Sequence, residues 1–155
     1  MEDSKEEDEL SNDIYVWFFI RGRNIDPNEI TYLLGITPSY KFMRGDRHGE
    51  NGQMIRKHGF WSITSYGKIQ SSDLHLHIEW ILAQLEPVQS QLNSIISYND
   101  VHAQISCVFH LFTLEWGDKL RPDILERIAA LNVMFGISMY CLKDLDSKLT
   151  NDSES

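Results

Sequence analysis

The stretch IYVWFFIRGRNIDPNEITYLLG, residues 14–35, decides the fold. Its first seven residues, Ile14 to Ile20, are β-branched or aromatic throughout, which suits a strand. Asp26 then stands where a helix N-cap belongs. Pro27 suits the first helical position, and Glu29 sits where a capping box needs it. Ile25 and Ile30 have the spacing of a hydrophobic staple, and Gly35 ends the helix. A strand followed by a helix is thus written locally, in propensity and punctuation.

Similar units follow. A second strand is expected from Gly59 to Tyr66. Ser71 or Ser72 is expected to cap a helix whose apolar stripe is Leu74, Ile78, Ile81 and Leu85. Pro87 interrupts it, and Val88, Leu92, Ile95 and Ile96 continue the pattern. The third strand is expected from Val101 to Trp116, with Val101, Ala103, Ile105, Cys107, Phe109 and Leu111 on one face. Pro122 opens a last helix with Leu125, Ile128 and Leu131 inward, and the last strand is Phe135 to Cys141. Ile25-x-Pro27-Asn28 and Leu120-x-Pro122-Asp123 echo each other. The order β-α-β-α-α-β-α-β predicts an α+β fold. It has a four-stranded, mostly antiparallel sheet, with three or four helices packed on it and a ferredoxin-like pseudo-repeat as a candidate topology.

A chain of 155 residues with 42% hydrophobic residues is long enough for one domain with a core of its own. That domain is expected over 14–142, between a disordered acidic tail at 1–13 and a disordered tail at 143–155. No apolar run approaches the roughly 20 residues of a membrane helix. The acidic start, Glu2-Asp3-Ser4-Lys5-Glu6, is unlike a secretory signal, so the expected location is cytoplasmic. Cys107 and Cys141 are then expected to be reduced, buried and inert.

The net charge of −9 is uneven. Residues 21–58 hold seven of the 14 Lys and Arg and four acids, whereas both flanks are acidic. An acidic whole argues against nucleic acid as a partner, because phosphates are repelled at long range. The basic block lies mostly in a long connection, Ile36 to His58, which is expected either to hide a short hairpin or to act as a functional loop.

An open sheet with helices on one face should be polar on the other. The first strand is not: Tyr15, Trp17 and Phe19 oppose Val16, Phe18 and Ile20. Past Leu111, Phe112 and Trp116 extend the problem, with Val108 and Leu114 beside them. Tyr15, Trp17, Phe112 and Trp116 are therefore candidate interface residues. They are expected to be covered by the 36–58 loop or by another chain.

The punctuation as a set resembles a known family. It comprises Asp26-Pro27-x-Glu29-Ile30-Thr31, Leu33-Leu34-Gly35-Ile36-Thr37-Pro38, Gly45-Asp46 and Gly59-x-Trp61-Ser62-Ile63. Ile78-x-x-Ile81-Leu82-x-x-Leu85-x-Pro87 and Gly136-Ile137-Ser138-Met139-Tyr140 complete it. Over residues 14–141 the chain resembles the bacterial family known as domain of unknown function 4279. The resemblance implies a bacterial cytosolic protein and brings no activity, cofactor or catalytic residue.

The residues themselves offer no catalytic motif: G-x-S-x-G, H-E-x-x-H and a Walker loop are all absent. His75 and His77, two apart on a helix, point to different sides and make a poor metal pair, while His75 and Glu79 have the spacing of a surface hydrogen bond. His102 and His110 lie roughly 27 Å apart along a strand. Asp46 beside His48 reads as a polar turn. No catalytic residue, metal or cofactor is assigned. The candidate binding set is Lys41, Arg44, Asp46, Arg47, Arg56, Lys57 and Trp61. Three functions compete: a non-enzymatic protein-binding module, for instance of the immunity type that neutralises a bacterial toxin; a small-anion-binding protein or enzyme built on the basic loop; and a structural homodimer. No membrane partner is expected.

Overall fold

Strand β1, Asp13–Gly22, buries alternate side chains Ile14, Val16, Phe18 and Ile20, as the apolar run requires. The structure, a computed structural model, describes residues 13–98, 100–113 and 115–141. Helix α1, Pro27–Leu34, starts where expected: Asp26 accepts from the Asn28 N–H at 2.8 Å, and Ile30 and Leu34 are buried. Gly35 closes it at φ +65°, a left-handed conformation that costs glycine nothing.

The remaining elements are β2 (Tyr40–Phe42), β3 (Arg47–His48), β4 (Met54–Ile55), β5 (Gly59–Thr64), α2 (Leu74–Leu85), a 3₁₀ turn at Glu86–Val88, α3 (Gln89–Ile96), β6 (Val101–Leu111), α4 (Pro122–Ala130) and β7 (Met134–Cys141). Among the described residues, the main sheet has five strands in the order β2-β5-β1-β6-β7, and β3 and β4 form a separate two-stranded ladder. β6 and β7 are parallel, and the other main pairs are antiparallel.

The α+β class stands, but the sheet is mixed and has five strands rather than four. The added strand is β2, three residues inside the expected loop that pair with β5. The ferredoxin-like pseudo-repeat does not hold. The first half joins antiparallel neighbours β1 and β5, whereas the second is a parallel β6-α4-β7 unit. Helix α2 is capped by Asp73, which accepts from the His75 N–H; Ser71 instead accepts from Asp73. β6 ends at Leu111 instead of running to Trp116. In α4, Ile124, Ile128 and Leu131 are buried while Leu125 is about half exposed, because i, i+4 and i+7 share the inner stripe. The expected tails fall outside the described residues except Asp13, which already belongs to β1.

The helices pack on one face of the sheet. There Ile14, Val16, Phe18, Ile20, Trp61, Ile63, Ile105 and Phe109 meet Leu74, Ile78, Ile81, Leu85 and Leu92 in a single core. No described helix is long and apolar enough to cross a membrane.

Candidate functional site

The basic loop is a β-hairpin arm. From β2 the chain turns at Met43–Asp46, where the Asp46 carboxylate accepts from the Met43 N–H at 2.8 Å. Gly45 N–H donates to the Arg56 carbonyl and Arg56 N–H to the Asp46 carbonyl, each at 2.8 Å. These bonds carry the ladder from β2–β5 into β3–β4. Gly49 and Gly52 close the tip at φ +92° and +61°. The arm therefore extends the β2 edge. Tyr40 and Phe42 pack on Phe60, and His58 packs on Phe42.

Where the arm meets the β1–α1 turn, Arg23, Arg44, Gly45, Gln53, Ile55, Arg56 and Lys57 line an open cleft of about 800 Å³. Arg44 reaches Asn24 Oδ1 at 3.4 Å, which ties the arm to that turn. Arg56 is fixed from two sides: its guanidinium lies 4.0 Å over the Phe42 ring and donates to the Tyr40 hydroxyl at 3.0 Å. None of Arg23, Arg44, Arg56 and Lys57 makes an ion pair among the described residues. The acids on the helix side are treated differently. Arg127 binds Glu79 at 2.7 Å and also Glu86, and these two carboxylates, Glu86 foremost, hold its pKa above the ordinary arginine value. Arg121 likewise pairs with Asp123 at 3.1 Å.

Three of the predicted binding residues, Arg44, Arg56 and Lys57, thus share one cleft. The others do not. Lys41 donates to Asn28 on the helix-bearing side at 2.6 Å, and Arg47 donates to the Gly52 carbonyl at the tip. Asp46 is committed to its turn. Trp61 is fully buried and donates to Thr31 Oγ1 at 3.0 Å, so it is a core residue. Arg23, Gln53 and Ile55 were not anticipated. Arg23 lies in the basic block but on a different element, and only the fold brings it to the arm.

The candidate interface divides as well. Tyr15 and Trp17 share the helix-free face. Tyr15 packs edge-on against Tyr66 and His110, and burial foremost, with Tyr140, Asp13 and Tyr66 adding to it, raises its phenol pKa. Trp17 packs on Phe19 and Phe60, and its indole N–H is buried with no hydrogen-bond partner among the described residues. Trp116 belongs to the opposite face, against Phe109 at 4.2 Å, because the chain leaves the sheet after Leu111. Phe112 is half-buried just beyond that strand end, and Leu114 lies outside the described residues. The 36–58 segment contributes to this face at the β2 edge: Phe42 stacks on Phe60 and Tyr40 packs beside it, while Phe60 stacks on Phe19, with Arg21 over Phe19.

His75 and His77 have separate surroundings. His77 is buried between Ser65 Oγ and the Ser71 carbonyl, each at 2.7 Å, where it fastens α2 to the end of β5. His75 accepts from the Arg121 N–H, and Glu79 is engaged by Arg127 rather than by His75. Among the described residues, no group of three or more His, Cys, Asp or Glu is placed to hold a metal ion. Cys107 is buried and Cys141 only half-buried, both as free thiols. A second cavity, about 430 Å³, opens between α1, the end of α3 and the start of β6. It includes none of the predicted site residues, and its Asp26 is already used as the α1 cap.

Residues 12–142 match the family described as Domain of unknown function (DUF4279), and the chain belongs to that family. No curated protein and no solved structure matches the chain.

Proposed function

We propose that this member of the DUF4279 family is a non-enzymatic binding module that holds an acidic surface of a partner protein in the cleft at the root of its hairpin arm. The supporting observation is the set of four cations, Arg23, Arg44, Arg56 and Lys57, around one open cleft with no acid paired to any of them among the described residues. Like charges gathered in one place repel one another, and an anion entering the cleft relieves that repulsion. The cleft is wide, and Ile55 supplies an apolar wall, which suits carboxylates on a protein surface better than an enclosed small molecule. A narrower version is an immunity-type protein whose partner is a bacterial toxin; a toxin gene immediately upstream would support it.

The test is titration of the full chain with polyglutamate, and separately with inorganic phosphate and ATP, at low and high salt. The informative variant carries Arg23→Ser, Arg44→Ser and Lys57→Ser together. It spares Arg56, which also holds Phe42 and Tyr40. Each exposed contact contributes a few tenths up to about 1 kcal/mol, so the triple variant should lose roughly tenfold or more in affinity and much of its salt dependence. Equal binding by the two proteins removes the cleft from the account. Preference for phosphate or ATP over polyglutamate favours the small-anion reading.

A further inference from the structure

Among the described residues, strand β7, Met134–Cys141, ends the sheet order with only β6 beside it, so one row of its backbone N–H and C=O groups faces no described strand. Native edge strands usually discourage new pairing with charges, proline or bulges. The sequence of β7, MFGISMYC, has no charge and no proline. Met134, Ile137, Met139 and Tyr140 are each more than half exposed. On the helix-bearing side, Ile137 and Met139 also border a cavity of about 300 Å³ whose walls include Phe109, Trp116 and Leu120. Among the described residues, the edge thus combines backbone groups that face no strand, solvated apolar side chains and unfilled apolar space.

We propose that β7 pairs antiparallel with β7 of a second copy of the chain, about a two-fold axis normal to the sheet at Ile137, joining two five-stranded sheets into one. The strand's own pattern selects a second copy as the occupant. Side chains alternate faces with period 2, so such an axis keeps both faces intact only if each residue meets one of the same parity. With Ile137 opposite its own counterpart, Phe135 meets Met139 on the helix-bearing face. On the other face Gly136 meets Ser138, and Met134 meets Tyr140. Every pair joins apolar to apolar or small to small, and no like charges are opposed. β7 itself carries no charge with which a charged strand from another protein could pair. The side chains of the second copy's Ile137 and Met139 would arrive beside the cavity that Ile137 and Met139 leave open. This pairing does not depend on the basic cleft, which lies at the opposite edge.

Sedimentation equilibrium of the full chain tests it. The expected mass is twice the 18.0 kDa of one chain. Ile137→Lys sets two ammonium groups against each other across the axis and should weaken the dimer at least about tenfold. Because Ile137 is 59% exposed, its far-UV spectrum should not change. Met139→Lys, at a position also in solvent, should weaken the dimer in the same direction. Register is read from Ile137→Cys in a Cys141→Ser background, which should oxidise to a disulfide-linked dimer, because directly opposed residues lie within disulfide reach. A monomer at about 100 µM, or a dimer that neither lysine variant weakens, overturns the proposal. An Ile137→Cys dimer that fails to cross-link overturns the register.

Discussion

The two edges of the sheet are built in opposite ways. β2 is three residues long and carries Lys41, and the chain leaves it at once for a charged, glycine-closed arm. β7 is eight residues long, uncharged and apolar. The first edge is protected against strand pairing by shortness and charge, and the second has neither protection. Among the described residues, the cations without an acidic partner and the open strand edge therefore lie on opposite sides of one sheet. Binding through charge and association through backbone pairing can be disturbed one at a time.

The largest expected contrast lies at the β7 edge itself. Cys141 ends β7 and is half-buried, whereas Cys107, one strand further in, is fully buried. Burial foremost, with Asp118 adding to it, pushes the Cys107 thiol from 9.0 up to about 12. Near pH 8.5 this lowers its reactive thiolate fraction by about a thousandfold relative to an ordinary thiol. Alkylation of the native protein, followed by mass spectrometry, should modify Cys141 and leave Cys107 untouched. Because the folded value is raised, the contribution of Cys107 to stability is fully present below about pH 8.5 and is lost as pH climbs towards 12. Denaturant midpoints should fall through that window, less so in Cys107→Ala. Equal labelling of both thiols would mean that the edge opens as far as β6.

The opposite edge is anchored by Trp61, whose indole is enclosed where β5 faces α1. Trp61→Ala should cost about 3–5 kcal/mol, a drop of roughly 10 °C or more in Tm. Trp61→Phe should cost less, because the Thr31 hydroxyl keeps its bond to the Pro27 carbonyl. A near-neutral Trp61→Ala would return this residue to the surface role suggested by its sequence position. Gly59→Ala comes next. An added Cβ there would run into the Ile25 carbonyl, part of the backbone that leads into α1, at an expected cost of about 1–3 kcal/mol. The same shift should distort the cleft and weaken polyglutamate binding, a coupling that titration of this variant would measure.

The sequence showed these regions unequally, for physical reasons. β1 and α1 were legible because their signals are local: a β-branched and aromatic run, then Asp26, Pro27 and Gly35 at fixed spacings. β2 was not, because Tyr40-Lys41-Phe42 is too short for periodicity to register. The path after Leu111 was hidden because Phe112, Leu114 and Trp116 continue a strand-like alternation with Thr113 and Glu115, which marks no strand end and placed Trp116 on the wrong face. Arg44, Arg56 and Lys57 were visible as a charge cluster. Which of the neighbouring bases join them depends on the hairpin register and on the contact of Arg44 with Asn24, which no linear pattern contains. The apolar edge of β7 was readable as a strand, but its place at the end of the sheet was not.

The smallest effect separates the two duties of Arg56, as a charge in the cleft and as the clamp of the arm. Its guanidinium covers the Phe42 ring and donates to the Tyr40 hydroxyl, so Arg56→Ala should lose one cation–π contact and one hydrogen bond at a half-exposed site. Together these amount to about 1 kcal/mol, or a few degrees in Tm. Arg56→Lys keeps the charge but lacks the planar fork that satisfies ring and hydroxyl together, so it should lose a similar amount of stability while retaining polyglutamate binding. Arg44→Ser should behave the other way, with weaker binding and a smaller loss of Tm, because what it gives up is the long 3.4 Å contact with Asn24. If Arg56→Lys is as stable as the parent chain, the arm is held by its backbone ladder alone. The cation over Phe42 is then free to serve the cleft.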